Sequence, residues 1–128
     1  KGGFMNAFKS DMPIYLQIRE YIETAILDGS LKEEESLPSL RQLAKDHVLN
    51  PTTISNAINL LENDDILYKK RGIGVFVQKN ARKKIISKKS KDFLNNSLST
   101  TIVKAKLLEI PVETLFDCIR KIYGENNV

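Results

Sequence analysis

The chain has 128 residues, of which 41% are hydrophobic and 28% are charged, a composition typical of a folded globular protein. No apolar run approaches the roughly 20 residues that a membrane-spanning helix needs, and the first residues contain no apolar segment of the signal-peptide type. The lone cysteine, Cys118, cannot form an internal disulfide, which predicts a cytoplasmic protein in a reducing compartment. We interpret residues 1–4, which precede Met5, as the remnant of an expression tag.

The net charge of +4 is distributed unevenly. From Asn80 onward there are 10 basic and 5 acidic residues, and a second basic cluster lies at Lys69, Lys70 and Arg71. Local clusters can hold phosphate groups even when the net charge is small. The basic residues within 82–91 allow two interpretations. They extend a phosphate-binding surface, or they keep a helix soluble, and we favour the second.

The segment PIYLQIREYIETAILDG, residues 13–29, has apolar residues at helical spacing. The predicted inward residues are Ile14, Ile18, Tyr21 and Ala25, with Tyr15, Ile22 and Ile26 beside them. Pro13 suits the first turn of a helix, and Gly29 suits the left-handed position just past its end. The sequence therefore predicts an amphipathic helix that is buried on one side.

Two short helices separated by only a few residues are predicted next. Ser39, followed three residues later by Gln42, forms a capping box that opens a helix over residues 40–47. Asn50 is typical of an N-cap, with Pro51 at the first position of the second helix. The predicted inward residues of this second helix are Ile54, Ala57, Ile58 and Leu61. This arrangement is a helix-turn-helix.

The outward face of the second helix carries short, uncharged polar side chains. They are Thr52, Thr53, Ser55, Asn56 and Asn59. Such residues are poorer helix formers than the Glu and Lys that usually cover a solvated face. They suit a face that lies against base edges in a DNA major groove, because their groups donate and accept hydrogen bonds. A face that is merely polar is the alternative.

The segment ILYKKRGIGVFV, residues 66–77, predicts two short strands around a tight turn. The residues that alternate with their neighbours are Ile66, Tyr68, Val75 and Val77. Basic residues and a glycine concentrate at the tip, namely Lys69, Lys70, Arg71 and Gly72. A basic hairpin directly after a helix-turn-helix is typical of a DNA-binding wing. A plain hairpin edge with solubilising lysines is the alternative, and it explains the concentration at the tip less well.

The remainder of the chain, residues 80–128, has helical signals only. Its apolar spacing predicts one long helix or two pieces, and Pro111 restarts the chain into a final helix. Helices of this number and size cannot enclose a core alone, so we expect pairing with the same region of a second chain. The residues expected in this homodimer interface are Leu94, Leu98, Ile102, Leu115, Phe116, Ile119 and Ile122. The predicted organisation is a tail at 1–12, a winged helix-turn-helix at 13–79 and a helical dimerisation domain at 80–128.

Over residues 13–77 the chain resembles the GntR family of regulators. The resemblance is carried by P-I-Y-L-Q-I at 13–18, G-S-L at 29–31, L-P-S-L-R-Q-L-A at 37–44 and R-G-I-G-V-F-V at 71–77. The short, helix-only C-terminal part and the Asn-Pro-x-Thr motif at 50–53 are similar to the YtrA subfamily. The resemblance implies a mainly α fold with a small β wing, binding to double-stranded DNA, and a small helical dimerisation domain. It also implies control of neighbouring transporter genes, which is the usual role of such regulators.

The resemblance implies roles for individual residues as well. Arg41 matches a family residue that contacts DNA from the first helix of the motif, and Thr53 matches a threonine near the start of the recognition helix. Arg71 and Gly72 match a wing tip that reaches the minor groove. Asp65 stands where the family usually has a glycine after this helix, and Asp tolerates the left-handed conformation moderately well.

The chain departs from the family at the residues that read guanine. Other branches carry an arginine at the position of Pro51 and another near Ser55 or Asn56, and this chain has neither. Bidentate arginine is the commonest specific contact to guanine, so we expect an operator that is richer in A and T. We expect a sequence-specific regulator, a repressor by the family's usual mode, that binds an inverted repeat as a homodimer.

Other functions have less support from the sequence. With one His, one Cys and no metal-ligand spacing or nucleophile motif, no catalytic residue, metal or cofactor is expected, and Cys118 is interpreted as a half-buried helix residue. A winged helix that contacts only other proteins is the alternative function, although it has no need for Arg41, Arg71 and Gly72. Residues 80–128 leave no room for a separate effector domain, but a small molecule could bind between subunits.

Overall fold

The computed structural model describes residues 11–38, 45 and 49–124. Two compact units, Lys1–Lys88 and Lys89–Val128, make up the chain. The helix predicted over residues 40–47 lies outside the described residues except for Lys45, which is helical. Within the described ranges, no helix has the length and apolar character needed to cross a bilayer.

The first helix, α1, spans Ile14–Leu27 as predicted. Pro13 lies at its N-cap, and Gly29 adopts the left-handed conformation just past its end, with φ 88°. Its buried row consists of Ile18, Ile22 and Ile26. The prediction that Ile14 and Tyr21 point inward was wrong, because these side chains are 38% and 39% exposed. The isoleucines at i, i+4 and i+8 form the row that packs on the next helix, and Ile14 and Tyr21 lie beside this row.

Helix α2 spans Pro51–Asn63 and packs against α1. It begins as predicted, since the side-chain oxygen of Asn50 accepts a hydrogen bond from the Thr52 N–H at 2.8 Å. The predicted inward residues are all buried, namely Ile54, Ala57, Ile58 and Leu61. The N-cap and this apolar row fix both the start of α2 and the face that it turns to the core.

The end of α2 is closed by two backbone hydrogen bonds. Asp65 has φ 60°, and its N–H donates to the Glu62 carbonyl at 3.0 Å. The N–H of Ile66 donates to the Leu61 carbonyl at 2.8 Å. These bonds define a Schellman motif, in which a buried residue after the turn packs near the last turn of the helix. An aspartate therefore occupies a left-handed position that glycine adopts at less cost.

The wing is an antiparallel pair of strands, β1 (Leu67–Lys70) and β2 (Gly74–Val77). Leu67 lies opposite Val77 and both are buried, whereas Tyr68 lies opposite Phe76. Tyr68 therefore lies on the face of the wing opposite to Leu67 and Val77. Ile66 is used in the helix-ending turn, so the alternation of the strand begins one residue later than expected.

A further segment of the chain joins the other edge of β2. Ser36 pairs with Phe76 in an antiparallel bridge, and the N–H groups of Glu34 and Leu37 donate to the carbonyls of Val77 and Val75, each at 2.8 Å. This contact pairs backbone groups on the edge of the wing that would otherwise depend on water. This pairing was not predicted, because a single bridge leaves no alternating pattern in the sequence.

The remaining helices are α3 (Ala81–Asp92), α4 (Ser99–Leu107) and α5 (Val112–Tyr123), with a π-helical segment at Phe93–Leu98. The long helical stretch and the restart at Pro111 were both predicted. The π-helical turns were not predicted. From the first residues of α4, the Ser99 hydroxyl donates back to the Leu94 carbonyl at 2.8 Å, and the Thr101 hydroxyl donates to the Ser97 carbonyl at 2.9 Å. Hydroxyl groups that bond back to the helix in this way compete with its regular ladder.

Replacing Asp65 by glycine should raise the free energy of unfolding by about 0.5–1 kcal/mol, because glycine adopts a left-handed conformation without the steric cost of a Cβ. Urea unfolding followed by circular dichroism measures the change. The control is Asn63→Gly, two residues earlier, where the backbone is helical and glycine should lower stability by a similar amount. A D65G variant less stable than the starting protein would mean that the aspartate side chain stabilises this turn.

Candidate nucleic-acid interface

The polar side of α2 lies opposite its buried row. Four of its five predicted residues are exposed, and Thr53 is half-buried. The exposed members are Thr52, Ser55, Asn56 and Asn59. We call these five residues the polar face of α2. In the described part of the chain, none of the four exposed side chains is engaged in a hydrogen bond, so their donors and acceptors are available to a ligand.

The three basic residues of the wing have different surroundings. The Nζ atom of Lys69 lies 3.6 Å from Oε1 of Glu62 in the last turn of α2. The Nζ atom of Lys70 lies 4.7 Å from the centre of the Phe76 ring, in cation–π geometry. Arg71 is exposed at the turn between the strands. The sequence predicted the same role for all three residues. In the structure Lys69 contacts α2, Lys70 contacts the wing itself, and Arg71 is exposed at the tip.

Phe76 belongs to a stack on the outer side of the wing. Its ring centre lies 5.7 Å from that of Tyr68, and the two planes are inclined by 23°. The Tyr68 hydroxyl donates to Oε1 of Glu34 at 3.1 Å. Partial burial of Tyr68, followed by this hydrogen bond and the negative charge of Glu34, raises the pKa of the tyrosine above its ordinary value. The stack thus fixes the strands of the wing on the side away from the core.

The tip of the wing is a tight turn closed by a hydrogen bond from the Ile73 N–H to the Lys70 carbonyl at 2.9 Å. Gly72 has φ 77°, and a Cβ built on it would meet no other atom within 4 Å. The backbone angle, and not a lack of space, is therefore what favours glycine at this position. Ile73 is 73% exposed beside Arg71. Sequence reasoning missed this apolar side chain, whose signal was a large aliphatic residue between two turn glycines.

Three basic residues of the 82–91 segment make contacts within the protein. Nε of Arg82 donates to the Leu27 carbonyl at 3.0 Å, at the end of α1, and Nζ of Lys84 donates to the Asp65 carbonyl at 3.2 Å, past the end of α2. Nζ of Lys88 lies 3.6 Å from a carboxylate oxygen of Asp64. Cations at helix C-termini interact favourably with the partial negative charge there. Solubility, the favoured interpretation, does not account for these three contacts.

The remaining predicted residues have mixed positions. Arg41 lies outside the described residues. The predicted interface residues are exposed except for Leu98 and Leu115, which are half-buried. Cys118 is exposed, which corrects the prediction that it is half-buried, because no described residue covers that side of α5. Among the described residues, no three His, Cys, Asp or Glu side chains are grouped so that they could hold a metal ion.

Comparisons with known proteins agree with this geometry. Residues 14–77 match the model of the bacterial regulatory proteins of the gntR family. The HTH-type transcriptional repressor YtrA of Bacillus subtilis (strain 168) is 32% identical over 117 residues, which cover 91% of this chain and 89% of that protein.

Two solved structures are similar over most of their length. A GntR family transcriptional regulator from Listeria monocytogenes is 32% identical, with a TM-score of 0.68, and the match covers 89% of this chain and 98% of the other. YtrA from Sulfolobus acidocaldarius, a GntR-family transcription factor, is 26% identical with a TM-score of 0.56, covering 71% and 92%.

These matches confirm the resemblance that the sequence motifs predicted. The mainly α fold with a two-stranded wing, followed by further helices, agrees with the solved relatives over nearly the whole of the Listeria protein. The relatives are transcription regulators, a class of protein that is not enzymatic. The chain belongs to the GntR family of bacterial regulatory proteins, and its similarity extends over nearly the full length of the YtrA repressor.

Proposed function

We propose that this protein is a cytoplasmic transcription repressor that binds an inverted-repeat, A/T-leaning operator as a homodimer. The observation that carries the proposal is the polar face of α2, whose four exposed side chains make no hydrogen bond within the described part of the chain, together with a wing that presents Arg71. The residues assigned to DNA are Arg41, Thr52, Thr53, Ser55, Asn56, Asn59, Lys69, Lys70, Arg71 and Gly72. The mode of regulation is taken from the related protein that is named a repressor.

The polar face supplies the sequence readout. Asparagine bonds in bidentate fashion to adenine N6 and N7, and the threonine methyl group packs against the methyl group of thymine. Asn56 and Asn59 are the exposed amides that suit the first contact, and Thr52 suits the second. Since no arginine projects from this face, guanine lacks its strongest reader, and A·T pairs should be preferred at the centre of each half-site.

The wing supplies affinity and favours the same base composition. Arginine is attracted into minor grooves that are narrow, and A-tracts have the narrowest grooves. Arg71 at the wing tip is placed for this contact, and Ile73 beside it adds apolar surface. Lys70, held over the Phe76 ring, is available to contact a phosphate. These contacts hold the protein on DNA without selecting individual bases.

The C-terminal helices supply the second subunit. Among residues 89–124 only Ala105 is buried, and the apolar stripe of α5 includes Ile119 and Ile122, which are 53% and 73% exposed. A contiguous apolar surface of this kind marks an interaction site in a soluble protein. A second copy is the partner that an inverted repeat requires, because a two-fold dimer presents two polar faces about one helical turn apart.

Binding to a DNA fragment from upstream of the protein's own gene should weaken steeply as salt is added. If the dimer neutralises four or five phosphates, the logarithm of the association constant should fall by about four per logarithmic unit of salt, at roughly 0.9 per phosphate. Fluorescence anisotropy with a labelled fragment measures the slope. A lack of binding at low salt would instead support the winged helix as a protein-interaction module.

Asn56→Ala should separate specific from general binding. The substitution removes one base reader from each subunit and should reduce operator affinity by about 1–3 kcal/mol per half-site, with little change on a scrambled duplex. Lys70→Ala should reduce affinity for both duplexes by the same factor, because a phosphate contact carries no sequence information. Competition anisotropy with the two duplexes gives the affinity of each variant relative to the starting protein on the operator and on the scrambled duplex. Equal effects of N56A on the two duplexes would contradict the assigned role of the polar face.

Ile119→Glu should convert the homodimer into a monomer by placing a charge in the apolar stripe of α5. Sedimentation equilibrium should give twice the chain mass for the starting protein and one chain mass for the variant. Lys121→Glu is the matched control, because helical spacing places Lys121 on the opposite side of α5, and it should remain dimeric. A starting protein that is monomeric at tens of micromolar would contradict the proposed interface.

A further inference from the structure

The first turns of α3 are part of the core of the first unit. Ala81 is 0% exposed and Ile85 is 1% exposed, and both belong to the cluster that includes the buried rows of α1 and α2. These residues lie four apart and therefore stack on one side of the helix. The beginning of α3 is thus anchored to the helices of the winged helix-turn-helix.

Polar contacts lie on both sides of this apolar anchor. Helical spacing places Lys84 and Lys88, one turn apart, on one side of the Ala81–Ile85 row, and Arg82 on the other. Lys84 bonds to the Asp65 carbonyl at 3.2 Å and Lys88 lies 3.6 Å from the Asp64 carboxylate. Polar contacts on both sides of the apolar row resist rotation of α3 about this row. Burial of Ala81 and Ile85 alone would permit such a rotation.

The last turn of α2 is the common anchor for α3 and the wing. Glu62 pairs with Lys69 of β1, while Asp64 and the Asp65 carbonyl accept Lys88 and Lys84 of α3. This end of α2 concentrates carboxylates and helix-terminal carbonyls, which attract cations together. The orientation of the polar face of α2 is therefore linked to the direction of α3 through direct side-chain contacts.

We propose that Lys84 and Lys88 are positioning residues that fix the direction in which α3 leaves the first unit, and thereby set the half-site spacing that the dimer accepts. The proposal rests on the proposed function, since it needs two subunits on an inverted repeat. Neither lysine needs to touch DNA for this role. Their effect is on which operators fit, and not on which bases are read.

Spacing discrimination follows from the geometry of DNA. Adding one base pair between half-sites moves one of them by 3.4 Å along the axis and rotates it by roughly 35°. Each subunit must then change the angle between the polar face and the helix that leads to its partner. The contacts of Lys84 and Lys88 oppose that change. Each of these exposed contacts contributes about twofold to fivefold to the preference for the best spacing. The dimer has four such contacts, and their factors multiply.

The test compares two double variants that lose the same charge from the same helix. K84M/K88M removes the contacts and keeps aliphatic side chains of equal helix propensity. K83M/K91M is the matched control, since within the described ranges neither Lys83 nor Lys91 makes a hydrogen bond or ion pair. Anisotropy is measured on inverted repeats with the best spacing and with one base pair added or removed, and thermal unfolding verifies that both variants are folded.

We expect the preference of the starting protein for its best spacing over the altered ones to fall by at least about tenfold in K84M/K88M and to stay unchanged in K83M/K91M. Equal loss of affinity at every spacing in both variants would overturn the proposal and assign the lysines to phosphate binding. An unchanged spacing preference in both variants would overturn it too. Failure of the starting protein to bind any inverted repeat would instead contradict the proposed function, so the two failures are distinguishable.

Discussion

The packing of one row of α2 against one row of α1 is the interaction on which the other features of the first unit depend. The apolar row of α2 is buried against Ile18, Ile22 and Ile26, so a helix of 13 residues has only its opposite side left for solvent or a ligand. The N-cap at Asn50 and the left-handed turn at Asp65 fix where that helix begins and ends. With its rotation and length both fixed, the polar face has a single possible direction.

Charge in this protein is used within the fold as well as at its surface. Lys69, Lys84 and Lys88 all contact the last turn of α2 or the residues that follow it, and Arg82 contacts the end of α1. A basic cluster in a DNA-binding family is easily taken for a set of phosphate ligands. Here at least four of these cations are near acceptors of their own chain, which is an argument for their role in orienting helices.

Local chemistry made much of the fold predictable. Proline and asparagine at the start of α2, glycine after α1 and the basic tip of the wing each act over a few residues, so the sequence alone located these elements. The alternation of Ile66 and Tyr68 did not locate the buried side of β1, because the turn after α2 uses Ile66 before the strand begins. The edge pairing of Ser36, the cation–π contact of Lys70 and the contacts of α3 join residues far apart in the chain. No periodic pattern records such contacts. The polar face was found because its residue types are unusual for a solvated helix.

The absence of charge on the polar face has a consequence for a regulator in a cell whose ionic strength varies. Counterion release acts on phosphate contacts, so salt changes the total time that the protein spends on DNA. Hydrogen bonds from asparagine and threonine to base edges release no counterions. For the proposed repressor, a rise in cytoplasmic salt therefore lowers occupancy of every site together and leaves the base readout by the polar face unchanged. Osmotic stress would loosen repression without altering which bases the polar face selects.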